Sequence, residues 1–302
     1  MLAPPRVVLQ FAVLSVGLAI PADAADFAPV VQRVSDLVED ELERGILTGV
    51  SVALVDDQMT VLKSGFGFAD EAKQRSATNK TVYRAGSISK LFTALAAMQL
   101  VEQGKLDIDE PVTDYLPAFC IVDPFEDAAP VTLRQLMCHR SGLVRESPVG
   151  GYLDPHEPSI EESVASLADC VRVHRPCQVT KYSNIGVTVV GHVVEKVAGV
   201  PFAEYQRENV LGPLGMEHSS FVRDDRVRPH LATSYMLVAD GQGGFGRTES
   251  PVFELGTLPA GNLYTSAADL GRFLSFLFAE GKVDGRQLIS PETIEEMFTP
   301  QL

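Results

Sequence analysis

The segment Ala85-Gly86-Ser87-Ile88-Ser89-Lys90-Leu91-Phe92-Thr93-Ala94-Leu95 constrains this chain more than any other. Ile88, Leu91, Phe92 and Leu95 recur at i, i+3, i+4 and i+7, the spacing of one helical face. On such a helix Ser87 and Lys90 stand three residues apart on a shared face. They lie at the end where free backbone N–H groups and the positive pole of the helix point outward. A hydroxyl beside a desolvated lysine has the makings of an activated nucleophile. The tetrapeptide alone does not establish this, because average composition supplies roughly one chance Ser-x-x-Lys in a chain of this length. A capping serine followed by a surface lysine has the same spelling, so the rest of the chain decides.

The first 24 residues read as a secretory signal: Arg6, an apolar run from Val7 to Ile20, then Ala22-Asp23-Ala24 as a small-x-small cleavage site. The run is too short for a membrane span, and no later run is long enough. A periplasmic or secreted protein is therefore expected. The remainder, with 45% hydrophobic and 22% charged residues overall, has an ordinary globular composition. A formal charge of −15 argues against nucleic acid and anionic lipid as partners. Cys120, Cys138, Cys170 and Cys177 allow two disulfides in an exported chain, with three pairings between which sequence does not choose. No C-x-x-C or H-E-x-x-H occurs, so neither a metal nor another cofactor is expected.

Val30, Val31, Val34, Leu37, Val38 and Leu42 form an amphipathic pattern from Asp26 to Arg44, stopped by Gly45. Val50, Val52 and Leu54 alternate with small residues; Asp56-Asp57-Gln58 turns the chain, and Met59 to Phe66 returns it as a hairpin. The helix begun near Ser87 closes at Gly104, and Thr132 caps a further short one. Residues 144–160 are rich in Pro and Gly and read as a surface loop. Val189, Val190, Val193, Val194 and Val197 give the helix after Tyr182-Ser183-Asn184 its apolar face, and Gly199 ends it. Thr265-Ser266 cap a helix with Leu270, Phe273, Leu274, Leu277 and Phe278 inward, and Ser290-Pro291-Glu292 opens the last one. The order predicts an α/β lobe with a mainly helical lobe inserted after its first strands.

Gly241-x-Gly243-x-x-Gly246 has the letters of a dinucleotide fingerprint, but Arg247-Thr248-Glu249-Ser250-Pro251 opens no helix to receive a pyrophosphate, so it reads as a hairpin loop. No Gly-x-Ser-x-Gly exists, and none of the six histidines has an evident Asp and Ser partner. Tyr182-x-Asn184 stands at a helix start, where a cap and a half-buried aromatic would serve a purely structural role.

Together, Ser87-x-x-Lys90 and Tyr182-x-Asn184 resemble the serine β-lactamase and penicillin-binding-protein superfamily, above all its class C, D-alanyl-D-alanine carboxypeptidase and esterase branch. The phrases Gly104-Lys105-Leu106-Asp107-Ile108-Asp109-Glu110-Pro111, His139-Arg140-Ser141-Gly142-Leu143, Pro213-Leu214-Gly215-Met216 and Pro259-Ala260-Gly261-Asn262-Leu263 resemble it too, in the same order, from about residue 28 onward. The resemblance implies an antiparallel sheet flanked by helices, with residues 25–80 and about 232–302 in the α/β lobe and 81–231 in the helical one. It implies Ser87 as acyl-accepting nucleophile, Lys90 and Tyr182 sharing the proton work, and Asn184 binding the amide of a small-molecule or peptidoglycan-derived substrate. The departure is the third motif, a Lys-Thr-Gly or His-x-Gly triplet on a later strand, which no residue run after 184 spells. Lys63-Ser64-Gly65 matches in letters but precedes the nucleophile. The expectation is an α/β domain lacking the family's closing strands. It is either an exported serine hydrolase acting on an amide, β-lactam or ester, or a weak or inactive relative that binds peptidoglycan-like ligands.

Overall fold

A computed structural model of the chain describes residues 26–301 apart from 46, 153, 240, 242 and 243. The signal segment 1–24 lies outside the described residues. Helix α1 (Ala28–Glu43) ends just before Gly45, which takes a left-handed φ of 71°. Strand β1 (Gly49–Asp56) turns at Asp57 and returns as β2 (Met59–Asp70), paired antiparallel from Gly49↔Gly67 to Asp56↔Met59. The predicted hairpin is thus present, with β2 running past Phe66 to pair with β3 (Arg75–Ser76). A side chain on Gly67 would strike the Thr48 carbonyl and press on Leu42 of α1, so this glycine lets helix and hairpin meet.

Strand β4 (Val82–Arg84) leads into α2 (Ser89–Glu102), followed by the short helices α3 (Val112–Tyr115), α4 (Leu133–Met137) and α5 (Ile160–Ala165). Reciprocal side-chain and backbone bonds cap α4 at Thr132 and Gln135, and α5 at Ser159 and Glu162. Then come α6 (Asn184–Ala198) and α7 (Phe202–Tyr205), and the hairpin β5 (Tyr235–Ala239) and β6 (Phe245–Glu249). The chain finishes with α8 (Leu258–Gly261), β7 (Tyr264–Ser266), α9 (Ala267–Phe278), the two-residue strands β8 (Lys282–Val283) and β9 (Arg286–Gln287), and α10 (Pro291–Phe298). Residues after Gly246 continue as β6, so no helix start stands there to hold a pyrophosphate. The architecture is a mixture of antiparallel strand pairs and packed helices. Among the described residues no single helix is long and apolar enough to cross a membrane.

The core is centred on α2 and α6, with Phe92, Leu95 and Leu100 from one and Val189, Val190, Val193 and Val194 from the other. Every residue of α6 from Asn184 to Val194 is buried. Its valines are poor helix formers, and burial, at about 1.5–3 kcal/mol for a fully buried aliphatic side chain, overrides that preference. Gly191 has a packing reason: a Cβ there would lie 2.2 Å from Pro259, so its absence admits α8 against α6.

Two predicted helix faces need correction. On α2, Ile88 and Leu91 are 39% and 51% exposed, and Phe92, Leu95, Ala96 and Leu100 face inward. On α9, Leu274 and Phe278 are exposed, whereas Phe273 and Phe276 are buried. Both helices are apolar on more than one side, so spacing alone does not say which stripe the core takes. The four cysteines are free thiols.

Candidate active site

Pairing of β4 with β7, from Val82↔Ser266 to Arg84↔Tyr264, brings the chain just before Ser87 alongside residues 262–266. Ala85 N–H continues that contact to the Leu263 carbonyl at 2.8 Å. Gly86 then takes φ 56°, a left-handed turn that a side chain would strain. The N–H groups of Ser89, Lys90 and Leu91 bond to the carbonyls three residues earlier. Ser87 therefore sits exposed in a tight turn leading into α2, which begins at Ser89, slightly later than the start near Ser87 expected from sequence. Buried hydroxyls peg this turn to the segment around α8. Ser89 Oγ donates to Gly86 O at 2.6 Å and accepts from Leu263 N–H at 2.9 Å, while Thr93 Oγ1 donates to Pro259 O at 2.7 Å.

Two groups converge on the Ser87 hydroxyl. Lys90 Nζ lies 3.2 Å from Ser87 Oγ, and the Tyr182 hydroxyl donates to the same oxygen at 2.8 Å. Lys90 also donates to the Ala260 carbonyl at 2.7 Å. Burial holds the Lys90 amine below its ordinary pKa, against the opposing pull of Tyr182 and Glu146. For Tyr182 burial pushes upward, but its hydrogen bonds with Lys90 and Ser87 and the charges of Lys90 and Arg145 outweigh it, leaving the phenol below its ordinary value. Lys90 Nζ and the Arg145 guanidinium stand 4.9 and 5.1 Å from the centre of the Tyr182 ring. The His139 ring stacks against Tyr182 with centroids 4.3 Å apart. Its Nδ1 accepts the Ser183 N–H at 3.2 Å, and burial together with Lys90 holds the imidazole below its usual pKa.

Asn184 is buried at the first position of α6, but it is not the cap. Ser183 takes that role, its Oγ accepting the Gly186 N–H at 2.9 Å. Asn184 instead donates from Nδ2 to Glu146 Oε1 at 2.6 Å. Of the four residues singled out from sequence, Ser87, Lys90 and Tyr182 meet at one hydroxyl, and Asn184 lies two residues beyond Tyr182, bonded to Glu146. Sequence reasoning missed Glu146, Arg145, His139 and the Ala260 carbonyl. His139 and Ala260 do lie within phrases already noted, but residue type gave them no role.

A cleft of about 420 Å³ opens from Ser87, Lys90 and Tyr182 along Leu91, Met98 and Met297. A larger groove, about 520 Å³, runs between β2 and α9 past Lys63, Arg272 and Lys282, and it contains neither Ser87 nor Tyr182. Lys63-Ser64-Gly65 belongs to β2 beside that groove, where Gly65 admits the backbone of Ala77 and Thr78. Among the described residues no group of three or more His, Cys, Asp or Glu side chains could hold a metal.

The geometry can be set beside known proteins. The chain is 30% identical over 282 residues to Beta-lactamase-like protein 2 of Dictyostelium discoideum, covering 90% of this chain and 50% of that protein. The octameric penicillin-binding protein homologue from Pyrococcus abyssi superposes with a TM-score of 0.75 at 32% identity, over 89% of this chain and 60% of that one. D-amino acid amidase from Ochrobactrum anthropi SV3 shares the fold, with a TM-score of 0.73 at 24% identity over 88% and 75%. The chain spans about half the length of the curated relatives it matches. The family model described as Beta-lactamase matches residues 34–302, and with that match the chain belongs to the Beta-lactamase family and carries the fold of its transpeptidase and hydrolase members.

Proposed function

We propose that this chain is an exported serine hydrolase that forms an acyl-enzyme at Ser87 on an amide, β-lactam or ester carbonyl. The observation that carries the reading is the convergence of Lys90 Nζ and the Tyr182 hydroxyl on Ser87 Oγ, at 3.2 and 2.8 Å. As Oγ attacks the carbonyl carbon, its proton passes to the Lys90–Tyr182 pair. When the carbonyl–leaving-group bond breaks, the pair returns a proton to the departing atom, and water later cleaves the acyl ester by the reverse route. Lysine and tyrosine titrate near 10 when free, so accepting a proton at neutral pH asks for a shift of roughly three units, or about 4 kcal/mol. Both groups lie below their ordinary values here, Lys90 mainly through burial and Tyr182 through its bonds to Lys90 and Ser87.

The named relatives, a β-lactamase-like protein, a penicillin-binding protein homologue and an amidase, agree with acyl transfer as the reaction class. The Ser87 N–H, at the turn into α2, supplies one donor for the oxyanion. A second donor usually completes such a site, and the loss of one such donor typically costs about 10²–10³ in rate. The alternative reading is a binder of peptidoglycan-like ligands with little or no turnover. Export rests on the pattern from Arg6 to Ala24.

Intact-mass measurement after incubation with a penicillin and with an activated ester tests the assignment. The expected result is one covalent adduct on the native chain and none on Ser87→Ala. An adduct on both proteins would place the nucleophile elsewhere, and no adduct on either would leave the binder as the correct reading.

A further inference from the structure

The groove of about 520 Å³ between β2 and α9 runs against the charge of the molecule. The chain carries 40 acidic residues against 25 lysines and arginines, a surface that on the whole repels anions. Along this groove the balance inverts. Lys63 of β2, Lys80 in the turn before β4, Arg272 of α9 and Lys282 of β8 line it, all four exposed and drawn from separate parts of the chain. The exposed carboxylates on the same lining are Glu217 and Asp284. Asp269 also borders the groove, but it is 3% exposed and engaged elsewhere: its Oδ2 accepts the His218 N–H at 2.8 Å and the Ser219 hydroxyl at 2.7 Å.

Elsewhere the cations of this protein are matched: Arg134 reaches Asp109 and Glu296, and Arg226 reaches Asp224. Lys63, Lys80, Arg272 and Lys282 make no ion pair and no side-chain hydrogen bond among the described residues. Arg272 is nonetheless placed. Gly215, at a left-handed φ of 66°, lets the guanidinium close in, since a Cβ there would lie 3.2 Å from Nη1. Thr60 and Asn79 add a hydroxyl and an amide to the same lining. Unpaired like charges gathered around one groove repel one another, and an anion seated among them relieves that repulsion. A guanidinium fork with three ammonium groups suits phosphate better than carboxylate, because each phosphate brings more charge and more acceptor oxygens. The volume falls within the ordinary range of small-ligand sites.

We propose that this groove is an anion-binding site for a ligand carrying two or more phosphate groups, held by Lys63, Lys80, Arg272 and Lys282. It shares no lining residue with the cleft at Ser87. The site therefore goes beyond the acyl-transfer reading and stands whether or not Ser87 acylates.

Calorimetric titration of the native chain with tripolyphosphate, inorganic phosphate and citrate, in buffer free of divalent metal, tests the site. Tripolyphosphate is expected to bind about tenfold tighter than either of the others, and to weaken as salt rises, because exposed charges are screened. Lys63→Gln combined with Arg272→Gln should lower its affinity by about tenfold or more, since two charge-assisted contacts are lost. Lys80→Gln combined with Lys282→Gln removes the other two cations and should act in the same direction, so the test survives if one pair fails to fold. Arg33→Gln combined with Lys105→Gln removes the same charge from exposed positions off the groove and should leave the affinity within about twofold. Thermal melts check that each variant is folded. Absence of tripolyphosphate binding, binding of citrate or of single phosphate as tight as tripolyphosphate, or equal losses in the groove and control variants overturns the proposal.

Discussion

The block formed by α2, α6 and α8 and the layer formed by α1 with the β1–β2 hairpin hold their elements by different means. In the block, Phe92, Leu95 and Val189–Val190 are buried, and hydroxyls of Ser89 and Thr93 fasten the turn at Ser87 to backbone at Leu263 and Pro259. In the layer, α1 has no buried residue and the hairpin is fully buried only at Ala69 and Asp70. The difference teaches that the geometry at Ser87 is set by helices and buried polar pegs, with the hairpin a spectator. A close-packed interior tolerates little displacement, whereas a half-exposed layer yields locally at small cost.

The sharpest way to break this comparison is at the site itself. Tyr182→Phe removes one of the two groups that meet Ser87 Oγ; on the proposed mechanism it is expected to slow acylation by about 10²–10⁴, read by stopped-flow release of an activated ester, with little change in unfolding. In the native chain the acylation rate should climb with pH as the Lys90–Tyr182 pair loses a proton. Because both pKa values are lowered, that climb should be centred below the value near 10 of the free groups. A climb centred at or above 10 would contradict the lowered values. Next in size, Phe92→Ala opens a cavity in the block and should destabilise by about 3–5 kcal/mol in urea titration. Gly191→Val drives a side chain into Pro259 and should cost about 1–3 kcal/mol. It should also lower Ser87 reactivity, since α8 carries the Ala260 carbonyl that holds Lys90. The smallest effect belongs to the layer: Leu37→Ala, at a side chain 54% exposed, should stay within about 0.5 kcal/mol. A cost there matching Phe92→Ala would erase the distinction.

Much of this was legible before the structure. Ser87-x-x-Lys90 and Tyr182-x-Asn184 could be read because their chemistry lives in side chains at fixed spacing. Thr132, Ser266 and Ser290 announced their helices because a capping hydroxyl has a local signature. The inward faces of α2 and α9 were misjudged at Ile88, Leu91, Leu274 and Phe278, because a helix apolar on several sides leaves the choice to its neighbours. The Ala260 carbonyl left no trace in the sequence: any residue brings a backbone oxygen, and only the approach permitted by Gly191 places this one on Lys90. Glu146 was hidden similarly, in a loop whose Pro and Gly content said turn and nothing about the carboxylate.

The bond from Lys90 to Ala260 has a further consequence, in conformational freedom. A lysine on an open surface samples many rotamers, worth about 2 kcal/mol of side-chain entropy. Here one N–H is tethered to a carbonyl 170 residues away in sequence, so the amine has already lost that freedom before any substrate arrives. The ordering belongs to folding and is not repeated at each turnover. The aim of the nitrogen toward Ser87 is accordingly a property of where α8 docks, independent of how tightly a ligand grips the cleft.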